Sequence, residues 1–80
     1  MIIISQDKIT YINYDIMRYV NIKPYGTHKK IYKMFTGNFN NYKVELGTYN
    51  TMERAREVLR ELECYANLKT NKKYYEMPVE

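Results

Sequence analysis

The chain is short of the residue types on which small-protein chemistry is usually built. Its 80 residues hold one cysteine, one histidine, two phenylalanines, two prolines, three glycines and no tryptophan. A single cysteine, Cys64, excludes an intrachain disulfide and any multi-cysteine zinc site. It reads as a half-buried free thiol between two faces of a helix, not as a nucleophile. His28 lies in a turn beside Lys29 and Lys30 and reads as a solvated surface residue without companion metal ligands. Gly26, Gly37 and Gly47 stand singly beside turns, which excludes a glycine-rich phosphate loop. Ser5 has no nucleophile elbow around it, and no signature pairs Asp15, Glu45 or the helix carboxylates. The expectation is a protein that is not an enzyme, with no catalytic residue, metal or cofactor. The apolar start, Met1 to Ile4, ends at Ser5-Gln6-Asp7-Lys8, too short for a signal peptide or a membrane span. A cytoplasmic protein without a membrane partner is therefore expected.

What is present describes one small domain over residues 1–80. The composition is 45% hydrophobic and 28% charged, which suits a globular chain. At this size a core is hard to complete alone, so a homo-oligomer is expected. The net charge of +4 is unevenly spread: residues 1–50 carry seven Lys/Arg against Asp7, Asp15 and Glu45. A basic non-helical layer argues against a carboxylate mimic of nucleic acid and permits contact with phosphates.

The organising stretch is Thr51 to Asn67. Met52, Ala55, Val58, Leu59, Leu62 and Ala66 follow the i, i+3, i+4 period of an amphipathic helix, with Leu59 and Leu62 expected among the most buried. Either Thr51 is the N-cap, or Asn50 is, with Glu53 closing a capping box. One apolar stripe needs a second layer. Residues 2–5, 9–14, 18–23, 30–36 and 42–46 read as strands within residues 2–49, from their Ile, Val, Thr and Tyr content and their alternation. Asp15 reads as a break, Pro24 as the end of the third strand, and 24–28 and 37–41 as turns. Gly47 to Asn50 reads as the link into the helix. Leu68 to Lys73 is a polar exit within the tail, residues 68–80, and Tyr74 to Pro78 is either an edge strand or a docked tail. Short links favour an α+β fold: a four- to five-stranded antiparallel meander with one helix packed across one face. Val20, Ile22, Val44 and Leu46 should meet the helix. The other face should carry Tyr11, Asn13, Tyr19, Asn21, Lys23, Lys43 and Glu45.

Ten tyrosines are the compositional bias. A tyrosine offers a flat ring for stacking and a hydroxyl for hydrogen bonding, and interleaved lysines add cations for phosphate. An AT-rich coding sequence also enriches Asn, Lys, Ile and Tyr, and strand tyrosines commonly serve cross-strand packing. With alternation, the candidate ligand residues are Tyr19, Lys23, Lys33 and Lys43, followed by Tyr11 and Arg18.

The stretches MIIISQDKITYINYD, LGTYNTMERAREVLREL and YEMP resemble a group of small proteins encoded by phages and integrated elements of low-GC Gram-positive bacteria. Members share the Ile-rich strand with its Ser-Gln-Asp-Lys turn and a Leu-Gly-x-Tyr-x-Thr-x-Glu-Arg-Ala helix entry. The match covers residues 1–15, 46–62 and 75–78, while 16–45 departs freely. The resemblance implies an accessory protein in the cytoplasm of a bacterial host that counters host defence; it carries over no catalytic residue. Two modes of action follow as expectations. One is a sponge that binds and sequesters a nucleotide signal. The alternative is a protein-binding inhibitor of a defence nuclease such as a CRISPR effector, with the defence protein as partner. A nucleic-acid-binding accessory protein is a third option, lacking a helix-turn-helix pair or an RNA-binding signature.

Overall fold

Helix α1 spans Met52–Asn67. Its N-cap is Thr51, whose hydroxyl accepts from the Arg54 N–H at 3.1 Å, which decides between the two candidate caps. Ala55, Val58 and Leu62 are its buried stripe; Leu62 is fully buried, whereas Leu59 lies partly exposed at the margin. The computed structural model describes residues 1–26, 31–37, 43–67 and 73–80. The expectations for His28, Lys29 and Lys30, for the turn residues 38–41 and Tyr42, and for residues 68–72 lie outside the described residues.

The fold class is α+β, but the strands form two three-stranded sheets and not one meander. Strands β3 (Tyr19–Tyr25), β4 (Ile31–Gly37) and β5 (Lys43–Tyr49) make the antiparallel meander against which the helix packs. Strands β1 (Ile2–Ile4), β2 (Tyr11–Asn13) and β6 (Tyr74–Glu76) form the second sheet in the order β2-β1-β6. There β1 and β2 run antiparallel, while β6 joins β1 in parallel, so the tail is a strand as well as a docked segment. The Met77 N–H donates to the Ile4 carbonyl at 3.0 Å beyond the end of that ladder. Ile3, Ile12, Tyr75 and Met77 from this sheet share one core with Met34, Leu46 and Tyr49 of the meander and with the helix stripe.

Three local expectations change. Pro24 does not end β3, which continues to Tyr25 opposite Ile31. Strand β3 is the outer strand of its sheet, where alternate N–H groups leave the ladder and a proline costs no bond. Residues 47–49 belong to β5 and not to a link. A bulge between Met34 and Phe35 of β4 sets Leu46 as the extra residue, because Phe35 faces Glu45 and Met34 faces Gly47. That shift of phase turns both Leu46 and Tyr49 into the core, where strict alternation would have aimed Tyr49 outward. After β2 the chain turns through a short 3-10 segment, Tyr14–Ile16, because the Asn13 side chain accepts from the Asp15 N–H at 3.0 Å.

One side chain ties the two sheets. The Gln6 backbone N–H donates to the Leu46 carbonyl at 2.8 Å. Its amide nitrogen donates to the carbonyls of Thr48, Pro78 and Val79, and its amide oxygen accepts from the Thr48 N–H at 2.9 Å. The Tyr49 hydroxyl donates to the Pro78 carbonyl at 2.8 Å. Around Gln6 the turn is self-bonded: the Ser5 hydroxyl donates to Asp7, the Ile9 N–H donates to Asp7, and Lys8 takes φ 66°. These bonds, the Ser5 hydroxyl first, hold the Asp7 carboxyl below its ordinary pKa.

Candidate functional site

The register of the meander determines which side chains share its outer face, since directly paired residues of an antiparallel sheet point the same way. Tyr19 and Lys43 flank Gly37; Asn21 and Glu45 flank Phe35; Lys23 and Thr48 flank Lys33; Tyr25 lies beside Ile31. Tyr19, Lys23, Lys33 and Lys43 are thus brought to one face, as the alternation predicts. Tyr11 is not among them: it sits on β2, on the outer face of the other sheet, together with Asn13. Arg18 precedes β3, its N–H donating to the Gly37 carbonyl at 2.9 Å. It lines a separate cleft of about 230 Å³ with Tyr14, Met17, Tyr19 and Glu63.

Two aromatic residues outside the candidate set complete the face. The rings of Tyr25 and Phe35 lie 6.0 Å apart, centroid to centroid, tilted at 49°. Lys43 Nζ lies 4.8 Å from the centre of the Phe35 ring, and Lys33 Nζ lies 5.0 Å from that of Tyr25. Tyr25 escapes the sequence reading because Pro24 assigned it to a turn; Phe35 escapes because its phase in β4 was not set. The phenylalanine alternates with Lys33, and that spacing is the signal that would have found it.

The three lysines are not equivalent. Lys33 is engaged by Glu45 at 3.1 Å. Lys23 is exposed, and its amine faces that of Lys43. The Lys43 amine, within hydrogen-bonding reach and of the same charge, holds the Lys23 ammonium below the ordinary lysine pKa. Neighbouring cations on one face, one of them over an aromatic ring, are suited to an anion between them. Beside them, Asn21 Oδ1 is buried without a hydrogen-bond partner.

Other tyrosines serve the core. Burial pushes the Tyr49 phenol up to about 12. It pushes the Tyr75 phenol higher still, helped by the hydrogen bond its hydroxyl donates to Glu61 at 3.0 Å. Cys64 is exposed, not half-buried, because it falls outside the Ala55–Val58–Leu62 stripe. Among the described residues, no three His, Cys, Asp or Glu side chains gather closely enough to hold a metal ion, and no helix is long and apolar enough to cross a membrane. Comparison with protein families, with curated proteins and with solved structures gives no match.

Proposed function

We propose that the outer face of the meander binds an anionic nucleotide, and that the chain is a non-enzymatic accessory protein of a phage or mobile element that sequesters a nucleotide signal of host defence. The observation that carries the binding reading is the Lys43 amine over Phe35 and the Lys33 amine over Tyr25, on the face that they share with Lys23. A phosphate between neighbouring ammoniums would relieve their repulsion, and a base would stack on an exposed ring. One such stack is worth about 1–3 kcal/mol. The sequence resemblance, not the geometry, supports the defence setting.

Calorimetry against linear and cyclic nucleotides tests this reading. Binding is expected, weakening as salt rises, and Lys43→Gln should weaken it by about tenfold, one charge-assisted contact. No heat with any nucleotide refutes it.

The outer face of the second sheet supports the homo-oligomer. Tyr11 and Tyr74 are 62% and 56% exposed there and flank Ile2 and Ile4. Its rim pairs Lys8 with Glu76 at 3.3 Å, so two copies could meet face to face without the repulsion that the lysine-rich meander would impose. Light scattering should give a dimer, and Tyr11→Glu a monomer. A wild-type monomer that retains a defence nuclease from host cells would instead support the protein-binding inhibitor.

A further inference from the structure

We infer that the cleft at the outer edge of the meander holds the base of the bound nucleotide and selects guanine, with Arg18 and Glu63 reading two adjoining edges of the ring; this rests on the nucleotide reading above. The cleft, of about 230 Å³, lies where the start of β3 meets the helix. Tyr14, Met17 and Val20 are its half-buried residues, and Arg18, Tyr19 and Glu63 stand exposed around them. The backbone on its β3 side is fastened by three bonds. The Tyr14 N–H donates to the Met1 carbonyl at 3.0 Å, the Met17 N–H to the Tyr14 carbonyl at 3.1 Å, and the Arg18 N–H to the Gly37 carbonyl at 2.9 Å. The opposite side is the helix, where Glu63 follows the buried Leu62. The cleft is thus formed before a ligand arrives, and binding need not order it.

Tyr14 and Tyr19 supply flat rings and Met17 a polarizable thioether, a setting for a planar aromatic ligand. The two charged residues have opposite signs, so this end of the ligand is a neutral group with both acceptors and donors, unlike the phosphate that suits the lysines. Arg18 only donates, and an ionised Glu63 only accepts. Guanine answers both: O6 and N7 accept from the guanidinium, and N1–H and the 2-amino group donate to the carboxylate. Adenine fails at the carboxylate, because its N1 is a lone pair beside the amino group, and the pyrimidines offer that edge one N–H-bearing group each. Tyr19 also begins the cross-strand row Tyr19–Gly37–Lys43, so the Lys43 backbone stands two strand spacings, about 10 Å, from this wall of the cleft. The Lys43 amine leans back to the Phe35 ring on β4, which shortens that span and leaves the phosphate on the lysine face while the base stays in the cleft.

The test is calorimetry with the 5′-monophosphates of guanosine, inosine and adenosine. The three share sugar and phosphate, and inosine lacks only the 2-amino group of guanosine. Wild-type protein should bind the guanine nucleotide about tenfold more tightly than the adenine one, the usual scale of one paired base edge, with inosine between them. Glu63 is an exposed helix position, so Glu63→Gln should keep the wild-type melting temperature. Its amide offers an acceptor beside a donor, which suits adenine, so the preference for guanine should be lost. Lys43→Gln should instead weaken all three by the same factor. Equal affinities in the wild type, or a guanine preference that survives in Glu63→Gln, overturn the inference and leave the nucleotide reading standing. No binding of any of the three to the wild type overturns this inference, and silence across the wider nucleotide panel removes the reading beneath it as well.

Discussion

The Gln6 clasp and the outer face of the meander use the same kinds of polar group to opposite ends. In the clasp, the amide nitrogen of Gln6 reaches three carbonyls and its oxygen takes an N–H, so both poles of the side chain are engaged. On the outer face, Asn21 has a buried amide oxygen with no partner, and two lysine amines face each other. A saturated network specifies one arrangement of the chain; an unsaturated one leaves a polar atom and like charges uncompensated. The clasp gathers distant parts of the chain: Gln6 from its start, Leu46 and Thr48 from β5, and Pro78 from its end. The outer face instead draws most of its side chains from the contiguous strands β3 and β4.

The largest expected effect comes from crowding the clasp. Gly47 lies against it, and an added Cβ would stand 3.3 Å from Gln6 Cβ and 3.2 Å from the Tyr49 hydroxyl. Neither neighbour is at liberty to retreat, since Gln6 is held by its hydrogen bonds and Tyr49 by Pro78. Gly47→Ala should cost about 1–3 kcal/mol, read from denaturant unfolding, and should leave the outer face's binding intact once folded. A variant as stable as wild type would show that the clasp yields.

How far the sequence disclosed this division depends on the range of each interaction. The helix was legible because its stripe is local, although the cap stayed open between Thr51 and Asn50, and the meander because alternation in β3 to β5 is local. The second sheet was not: Ile3 pairs with Tyr75 across almost the whole chain, and no short-range pattern marks a parallel partner. Pro24 misled because an edge position is a property of the finished sheet. The bulge at Leu46 was hidden because each flanking half of β5 alternates correctly by itself. Alternation placed Tyr19, Lys23, Lys33 and Lys43 on one face, but Tyr11 fell on the other sheet because the strands were assumed to share one. Gln6 looked like an ordinary turn residue, since all its side-chain partners lie more than forty residues away.

A smaller effect is expected from the clasp's phenol, and it depends on pH. Tyr49→Phe removes the bond to the Pro78 carbonyl and should cost about 0.5–1.5 kcal/mol at pH 7. The folded pKa of Tyr49 is raised to about 12 by burial. Its contribution is thus complete below pH 10, where tyrosine of the unfolded chain begins to ionise, and is lost as pH rises towards 12 at up to about 1.4 kcal/mol for each pH unit. The gap between wild type and Tyr49→Phe should therefore close by about pH 11 and reverse as pH nears 12. A constant gap in alkaline melting curves would mean that the phenol ionises freely in the folded state.

The smallest effect on stability should come from the outer face, and its smallness sharpens the contrast. Lys43→Met keeps an unbranched stem over the Phe35 ring and removes the amine that depresses Lys23. The clasp variants break bonds that the fold has already made. This one removes only a like-charge contact in solvent, so its melting temperature should equal or slightly exceed that of the wild type. Lys23 should then titrate closer to the ordinary lysine value, a rise that NMR of its side-chain ε carbon can follow. The same rise should appear in wild-type protein when phosphate is added, because an anion between the amines favours the charged form of both. If Lys23 titrates identically in wild type and Lys43→Met, the two amines do not meet, and the outer face loses the feature that sets it apart from the clasp.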